Sequence, residues 1–98
     1  MQIIAKRTLR QFWEKYPQAE APLRAWFSLV EGADWTGPAS VKSGFGASVD
    51  FLADNRIVFD IAGNKYRLVV RVSYQYKRVM IKFVGTHADY DRIDATTV

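Results

Sequence analysis

The chain has 98 residues and a formal net charge of +4, with 49% hydrophobic and 24% charged side chains, the balance of one globular domain with a single modest core. It holds no cysteine and one histidine, which excludes disulfides and thiolate chemistry and gives no expectation of a structural zinc site, another metal or a cofactor. No apolar run approaches the roughly 20 residues of a membrane span, and Met1 to Arg7 lacks the apolar stretch of a secretory signal, so a reducing cytoplasm is the expected compartment.

Gln2 to Ala5, apolar at Ile3 and Ile4, predicts an opening strand or an extended lead-in. Thr8 with Gln11 three residues later is a capping-box signal for a helix start. Leu9, Phe12, Trp13 and Tyr16 then follow at helical spacing until Pro17 ends the segment. A second helix begins within a few residues, with Pro22 in or near its first turn, where a missing N–H costs nothing. Leu23, Trp26, Phe27 and Val30 repeat the i, i+3, i+4, i+7 pattern, and Gly32 supplies a stop. Apolar residues at this period are what any buried helix face shows, so both aromatic stripes read as core rather than as a ligand pocket.

Residues 33–47 are rich in turn formers and read as a long connection. Within it Gly44-Phe45-Gly46 invites comparison with a phosphate-binding loop. No strand precedes it, a third glycine is missing and no Gly-Lys-Ser/Thr ending follows, so a nucleotide fold is rejected. Lys42 on this connection either touches a substrate or faces water. Ser48 to Leu52 and Arg56 to Ile61 make two strands around an Asp54-Asn55 turn, Ile57, Phe59 and Ile61 alternating with Val58 and Asp60. After Ala62-Gly63-Asn64 comes a β-hairpin and then a short helical segment at His87 to Arg92. The expected fold is α+β, residues 1–98 forming one domain in the order β-α-α-β-β-β-β with a helical pair packed on a mostly antiparallel sheet. Ala95-Thr96-Thr97-Val98 is expected to fray.

The hairpin separates its side chains by kind. In its first strand Tyr66, Leu68, Val70, Val72 and Tyr74 share one face, and Lys65, Arg67, Val69 and Arg71 the other. In its second strand Val79, Ile81 and Phe83 oppose Arg78, Met80 and Lys82. If the apolar faces meet in the core, Arg67, Arg71, Arg78 and Lys82 form a basic surface with His87 and Tyr90 at its edge. Charge is placed accordingly. Residues 1–54 carry six basic and six acidic side chains, whereas residues 55–98 carry eight basic and four acidic. A field of this sign favours a polyanionic partner, nucleic acid or an acidic protein, and otherwise serves as a solubilising face.

Three blocks carry a family resemblance: Asn55-Arg56-Ile57-Val58-Phe59-Asp60-Ile61, Gly63-Asn64-Lys65-Tyr66-Arg67-Leu68-Val69, and Val84-Gly85-Thr86-His87-Ala88-Asp89-Tyr90-Asp91. With them the chain resembles the HigB branch of the RelE-like toxins of bacterial type II toxin–antitoxin systems. The resemblance spans roughly residues 1–94 in size and element order, with its motifs concentrated after Asn55. It implies a cytoplasmic mRNA endonuclease, or mRNA interferase, that acts on messages in the ribosomal A site and inhibits translation. It also implies a HigA-like helix-turn-helix antitoxin as partner, the complex repressing its own operon. A non-catalytic binding module on the same scaffold, such as a gyrase-inhibiting ParE-type toxin, is the alternative.

The residues suit metal-independent RNA cleavage. The neighbouring 2′-hydroxyl attacks phosphorus, something takes its proton, something protonates the departing 5′-oxygen, and cations stabilise the phosphoryl oxygens. Arg67 is assigned to the scissile phosphate, with Arg71 and Lys82 as phosphate or charge-stabilising contacts. Because Arg67 and Arg71 lie about 13 Å apart by strand rise, Lys82 and the terminal segment must fill the gap if a cluster is to form. His87 is the candidate general acid or base. Tyr90 stacks on a base, orients the nucleophile or anchors the core. Arg78 and Arg71 contact phosphates at a distance or bind the antitoxin, and Lys65, Lys77 and Lys42 complete the expected RNA-binding set. Asp89 and Asp91 either share in proton transfer or cap the helix.

Overall fold

The computed structural model describes residues 1–98. Its sheet has five strands: β1 (Gln2–Ile4), β2 (Val49–Leu52), β3 (Arg56–Ile61), β4 (Tyr66–Ser73) and β5 (Arg78–Thr86), in the spatial order β1-β5-β4-β3-β2. β1 lies parallel to β5 and every other pair is antiparallel. Helices α1 (Lys6–Lys15) and α2 (Glu20–Glu31), joined by a 3₁₀ turn at Pro17–Ala19, follow β1. Leu9, Leu23 and Val30 from these helices are fully buried, as are Leu68, Val70 and Val79 from the sheet, all in one apolar cluster. This is the expected α+β arrangement of a helical pair on a mostly antiparallel sheet. No helix is long and apolar enough to cross a membrane.

Five local expectations change. The first helix starts two residues before Thr8, at Lys6, with Ala5 at the N-cap and no side-chain cap, so the Thr8–Gln11 pair lies inside the helix. The long connection contains a third helix, α3 (Pro38–Phe45). Pro38 opens it at the position where a missing N–H is harmless. The Ser40 hydroxyl reaches back to accept from the Thr36 and Gly37 N–H groups at 3.0 and 3.2 Å. Trp35, Val41 and Phe45 then pack with Phe59, whose ring centroid lies 4.8 Å from that of Phe45. Gly44 and Gly46, expected as loop residues, sit at the end of this helix, Gly46 with a left-handed φ of 60°. Strand β2 begins one residue late, at Val49, because Ser48 closes a 3₁₀ turn.

The fourth change concerns β5. Val69 pairs with Phe83 but Val70 pairs with Ile81, so Lys82 is the extra residue of a β-bulge. An extra residue resets the alternation. Val79 and Ile81 keep to the helix side, whereas Phe83, expected beside them, packs on the opposite face with Val58 and Val69. That opposite face is the fifth change. Its middle is a second apolar cluster, Val58, Val69 and Ala95, with Leu52, Phe83, Tyr90, Ile93 and Val98 packed around it. Burial of a valine side chain contributes about 1.5–3 kcal/mol, and Val58 and Val69 reach 1% and 0% exposure under this cover.

The terminal residues expected to fray are therefore folded over the sheet, and a charged side chain ties them down. Arg56, only 8% exposed, donates from Nη1 to the Val98 carbonyl at 2.6 Å and to the Ala95 carbonyl at 3.4 Å. Asp94 shapes the turn beneath. Hydrogen bonds from the Thr96 hydroxyl and backbone N–H hold its carboxyl below the ordinary carboxylate range. The charged hydrogen bonds of the buried Arg56 contribute about 1.5–3 kcal/mol. Arg56→Ala is expected to lose about that much in urea denaturation and to open residues 93–98 to protease. Arg56→Met should lose less, since it keeps the stem and removes the buried, unpartnered Nε.

Candidate active site

Where β5 ends, the chain turns straight into a four-residue helix, α4 (His87–Tyr90). Thr86 starts it. Its hydroxyl accepts from the Asp89 N–H at 3.2 Å, and the Asp89 carboxylate accepts from the Thr86 N–H at 3.4 Å, a reciprocal cap that satisfies two otherwise free donors. Asp89 also lies 3.8 Å from Arg92. Of its two expected roles, capping is the one its contacts fill.

Gly85, directly before Thr86, lets this helix lie against the sheet. A Cβ built there would stand 2.5 Å from the Phe83 ring and 3.0 Å from Asp89 Cβ. Gly85 pairs with Arg67 on β4, and Arg67 pairs on its other side with Asp60 on β3. Three strands and α4 thus converge on one guanidinium. Arg67 donates to Asp60 Oδ1 from Nη1, its Nη2 lies 3.1 Å from His87 Nε2, and its Cζ lies 5.3 Å from the centre of the Tyr90 ring, a cation–π distance. The side chain is 14% exposed, and Nε is buried without a partner. The far nitrogen of His87, Nδ1, lies 3.4 Å from Asp91 Oδ2.

Arg67, His87 and Tyr90, expected as one site from the sequence, therefore meet. Of its expected roles Tyr90 fills that of core anchor, packing against the second apolar cluster, and in addition it offers its ring to the guanidinium. The gap between Arg67 and Arg71 is filled by the terminal segment, but with apolar side chains over Val69 rather than with charge. Lys82 occupies the bulge, half-buried, and makes no hydrogen bond or ion pair. Arg71 donates to the Asp54 carboxylate at 2.9 Å and to its carbonyl at 3.3 Å. It also lines a depression of about 240 Å³ with Asn55, Val72, Ser73 and Met80, some way along the strand from the clustered residues.

The remaining basic residues are dispersed. Arg78, exposed, lies with its Cζ 5.8 Å from the Tyr76 ring. Lys65 donates to the Gln18 side chain at the helix end of the sheet. Lys77 donates to the Trp35 carbonyl at 2.9 Å and pairs with Asp34 at 2.8 Å; this hydrogen bond, with the ammonium charge, holds the Asp34 carboxyl below its ordinary value. Lys42 is exposed on α3, in the helical layer.

Asp91 was expected to share in proton transfer or to cap the helix, whereas Asp60 and Gly85 were not singled out as parts of the cluster, and a signal for the first of these two existed. A four-residue turn over 62–65 makes 61 face 66 and hence 60 face 67, which places a carboxylate opposite Arg67 by counting alone.

Comparison with known proteins bears on what this cluster does. The HigB_toxin family, described as the RelE-like toxic component of a toxin–antitoxin system, matches residues 19–93. The mRNA interferase toxin HigB of Escherichia coli strain K12 is 32% identical over 92 residues, covering 93% of this chain and 88% of that protein. The mRNA interferase HigB of Shigella flexneri matches to the same extent. The mRNA interferase HigB of Escherichia coli O6:H1 is 27% identical over 94 residues, 95% of this chain and 91% of the other.

Proposed function

Because the chain belongs to the HigB family of RelE-like toxins, we propose that Arg67, His87 and Tyr90 form the cleavage site of an mRNA interferase that works on message bound to the ribosome. The protein is the toxin component of a toxin–antitoxin system and an endoribonuclease that cuts mRNA. The observation that carries the assignment of the site is the 3.1 Å approach of Arg67 and His87. A fixed cation and a titratable ring from distant parts of the chain meet beside an aromatic face.

In the proposed reaction the 2′-oxygen attacks the adjacent phosphorus as its proton is taken up, the bond to the 5′-oxygen breaks, and that oxygen leaves protonated. Arg67 stabilises the charge that builds on the phosphoryl oxygens. His87 moves a proton, and Tyr90 stacks on a neighbouring base or orients the nucleophile. Lys82, Arg71 and Arg78, on β4 and β5, guide the flanking backbone. Lys65, Lys77 and Lys42 add to the attracting field from a greater distance. The antitoxin is proposed to be a HigA-like helix-turn-helix protein, and the place of action the cytoplasm.

A translating extract programmed with a defined message, with cuts mapped by primer extension, tests this reading. Discrete cuts in the translated region, absent on naked RNA, are expected. A folded, antitoxin-free preparation that leaves the message intact would overturn the proposal and make inhibition of gyrase the next assay.

A further inference from the structure

His87 is the only histidine of the chain, and its two ring nitrogens face neighbours of opposite kind. Nε2 lies 3.1 Å from Arg67 Nη2. A guanidinium has only donors and keeps its charge in proteins, so the nitrogen facing it presents a lone pair. Nδ1 lies 3.4 Å from Asp91 Oδ2, and a carboxylate only accepts, so the ring proton belongs on that side. A donor-only group on one side and an acceptor-only group on the other leave one neutral tautomer, Nδ1–H. A histidine side chain free in water favours the opposite one, Nε2–H.

We infer that Asp91 is a positioning residue which, together with Arg67, holds His87 in the Nδ1–H tautomer so that Nε2 acts as the general base toward the 2′-hydroxyl. The base role rests on the cleavage reaction proposed above; the tautomer does not. Position in the chain supports the pairing. The Asp91 N–H donates to the His87 carbonyl at 3.1 Å, a single helical turn that brings side chains four apart to the same face. The other nearby acids are engaged elsewhere: Asp89 with Thr86 and Arg92, and Asp60 with Arg67 Nη1. Asp91 is the carboxylate left to face the ring.

The step balances as follows. Nε2 takes the 2′ proton, the 2′-oxygen bonds to phosphorus, the bond from phosphorus to the 5′-oxygen breaks, and the departing oxygen takes a proton from water. The imidazolium so formed carries N–H on both nitrogens, and the Asp91 carboxylate stabilises it. The single lone pair of Nε2 cannot accept from Arg67 and take the 2′ proton at once. Arg67 Nη2 therefore turns from Nε2 to the phosphoryl oxygens as substrate binds, and protonation of Nε2 then keeps it there, since two donors cannot face each other. Proton transfer and anion stabilisation are coupled through one contact.

The test reads the tautomer directly, because one histidine gives one set of imidazole signals. Isotope-labelled imidazole nitrogens are observed by NMR at about pH 8, above the ordinary histidine range, in the wild type, Asp91→Ala and Asp91→Asn, with single-turnover cleavage measured beside them. The wild type is expected to show a protonated Nδ1 and an unprotonated Nε2. Asp91→Ala should shift the signals toward the Nε2–H form and lower the maximal rate about tenfold, at the low end for groups that orient functional histidines, since both side chains are well exposed at 47% and 63%. KM should change little. Asp91→Asn, whose amide oxygen can still accept, should retain more of both. A wild type in the Nε2–H form, or an Asp91→Ala variant with unchanged signals and rate, overturns the inference. A wild type that cuts no message overturns the base role along with the proposed function, while the NMR arm still decides the tautomer.

Discussion

Arg67→Ala is expected to lower message cleavage by about a hundredfold to a thousandfold, the usual cost of removing one group that stabilises a transition-state anion. The guanidinium is held from three directions, by Asp60, by His87 and by the face of Tyr90. It is therefore set in place before substrate arrives and loses little conformational freedom on binding. Arg67→Lys should fall almost as far, because a single ammonium on a flexible stem cannot bridge Asp60 and His87 at once. Loss of the partner leaves the Asp60 carboxylate, 28% exposed, with one fewer donor, so a drop in stability of about 1–3 kcal/mol is also expected. Cleavage mapped in a translating extract, on variants first shown to be folded by their melting curves, measures the effect. Full activity in a folded Arg67→Ala protein would remove the guanidinium from the mechanism.

The second large effect is expected at a residue with no chemistry. Gly85→Ala places a methyl group 2.5 Å from the Phe83 ring and 3.0 Å from Asp89 Cβ, where real Cβ atoms do not go. Either the ring leaves the second apolar cluster or α4 lifts from the sheet. Overpacking of this sort costs about 1–3 kcal/mol, which lowers the melting temperature of a chain this size by several degrees. Activity should fall more than stability does. Asp89 belongs to the turn that carries His87 and Tyr90, and a displacement of about 1 Å at a catalytic group costs on the order of a hundredfold. Melting curves and cleavage rates of Gly85→Ala settle the point together. A variant that melts and cuts like the wild type would show that α4 does not rest on the sheet through residue 85.

Both effects come from a place where local signals and tertiary packing divide the work. The two helices, the hairpin and the turns were legible in the sequence because their causes are local. Apolar residues at helical spacing need one face buried, and the Asp54-Asn55 and Gly63-Asn64 pairs supply residues that tolerate the left-handed φ values found there. The union of Arg67 with His87 and Tyr90 was legible as well, from the alternation that set Arg67 on the second face with the terminal segment at its edge and from the motifs of the family. Helix α3 was missed because glycine and serine outweighed a short apolar pattern, and its support comes from Trp35, Phe45 and Phe59 meeting across the core.

What only the tertiary structure decided is the character of the sheet's second face. Strict alternation predicts a continuous basic platform there. A single extra residue at Lys82 reverses the pattern beyond it and sends Phe83 to that face. No local propensity marks a bulge of this kind, since register depends on the partner strand. The same holds for residues 93–98. Their composition suggests a loose end, yet Ala95 and Val98 cover Val58 and Val69, and Arg56 holds their carbonyls from a strand about forty positions earlier. The sequence by itself singled out the residues proposed to carry the chemistry. The packing of the chain's end against the sheet decided how many of the basic side chains stand beside them, because burial and pairing between remote segments are properties of the whole fold.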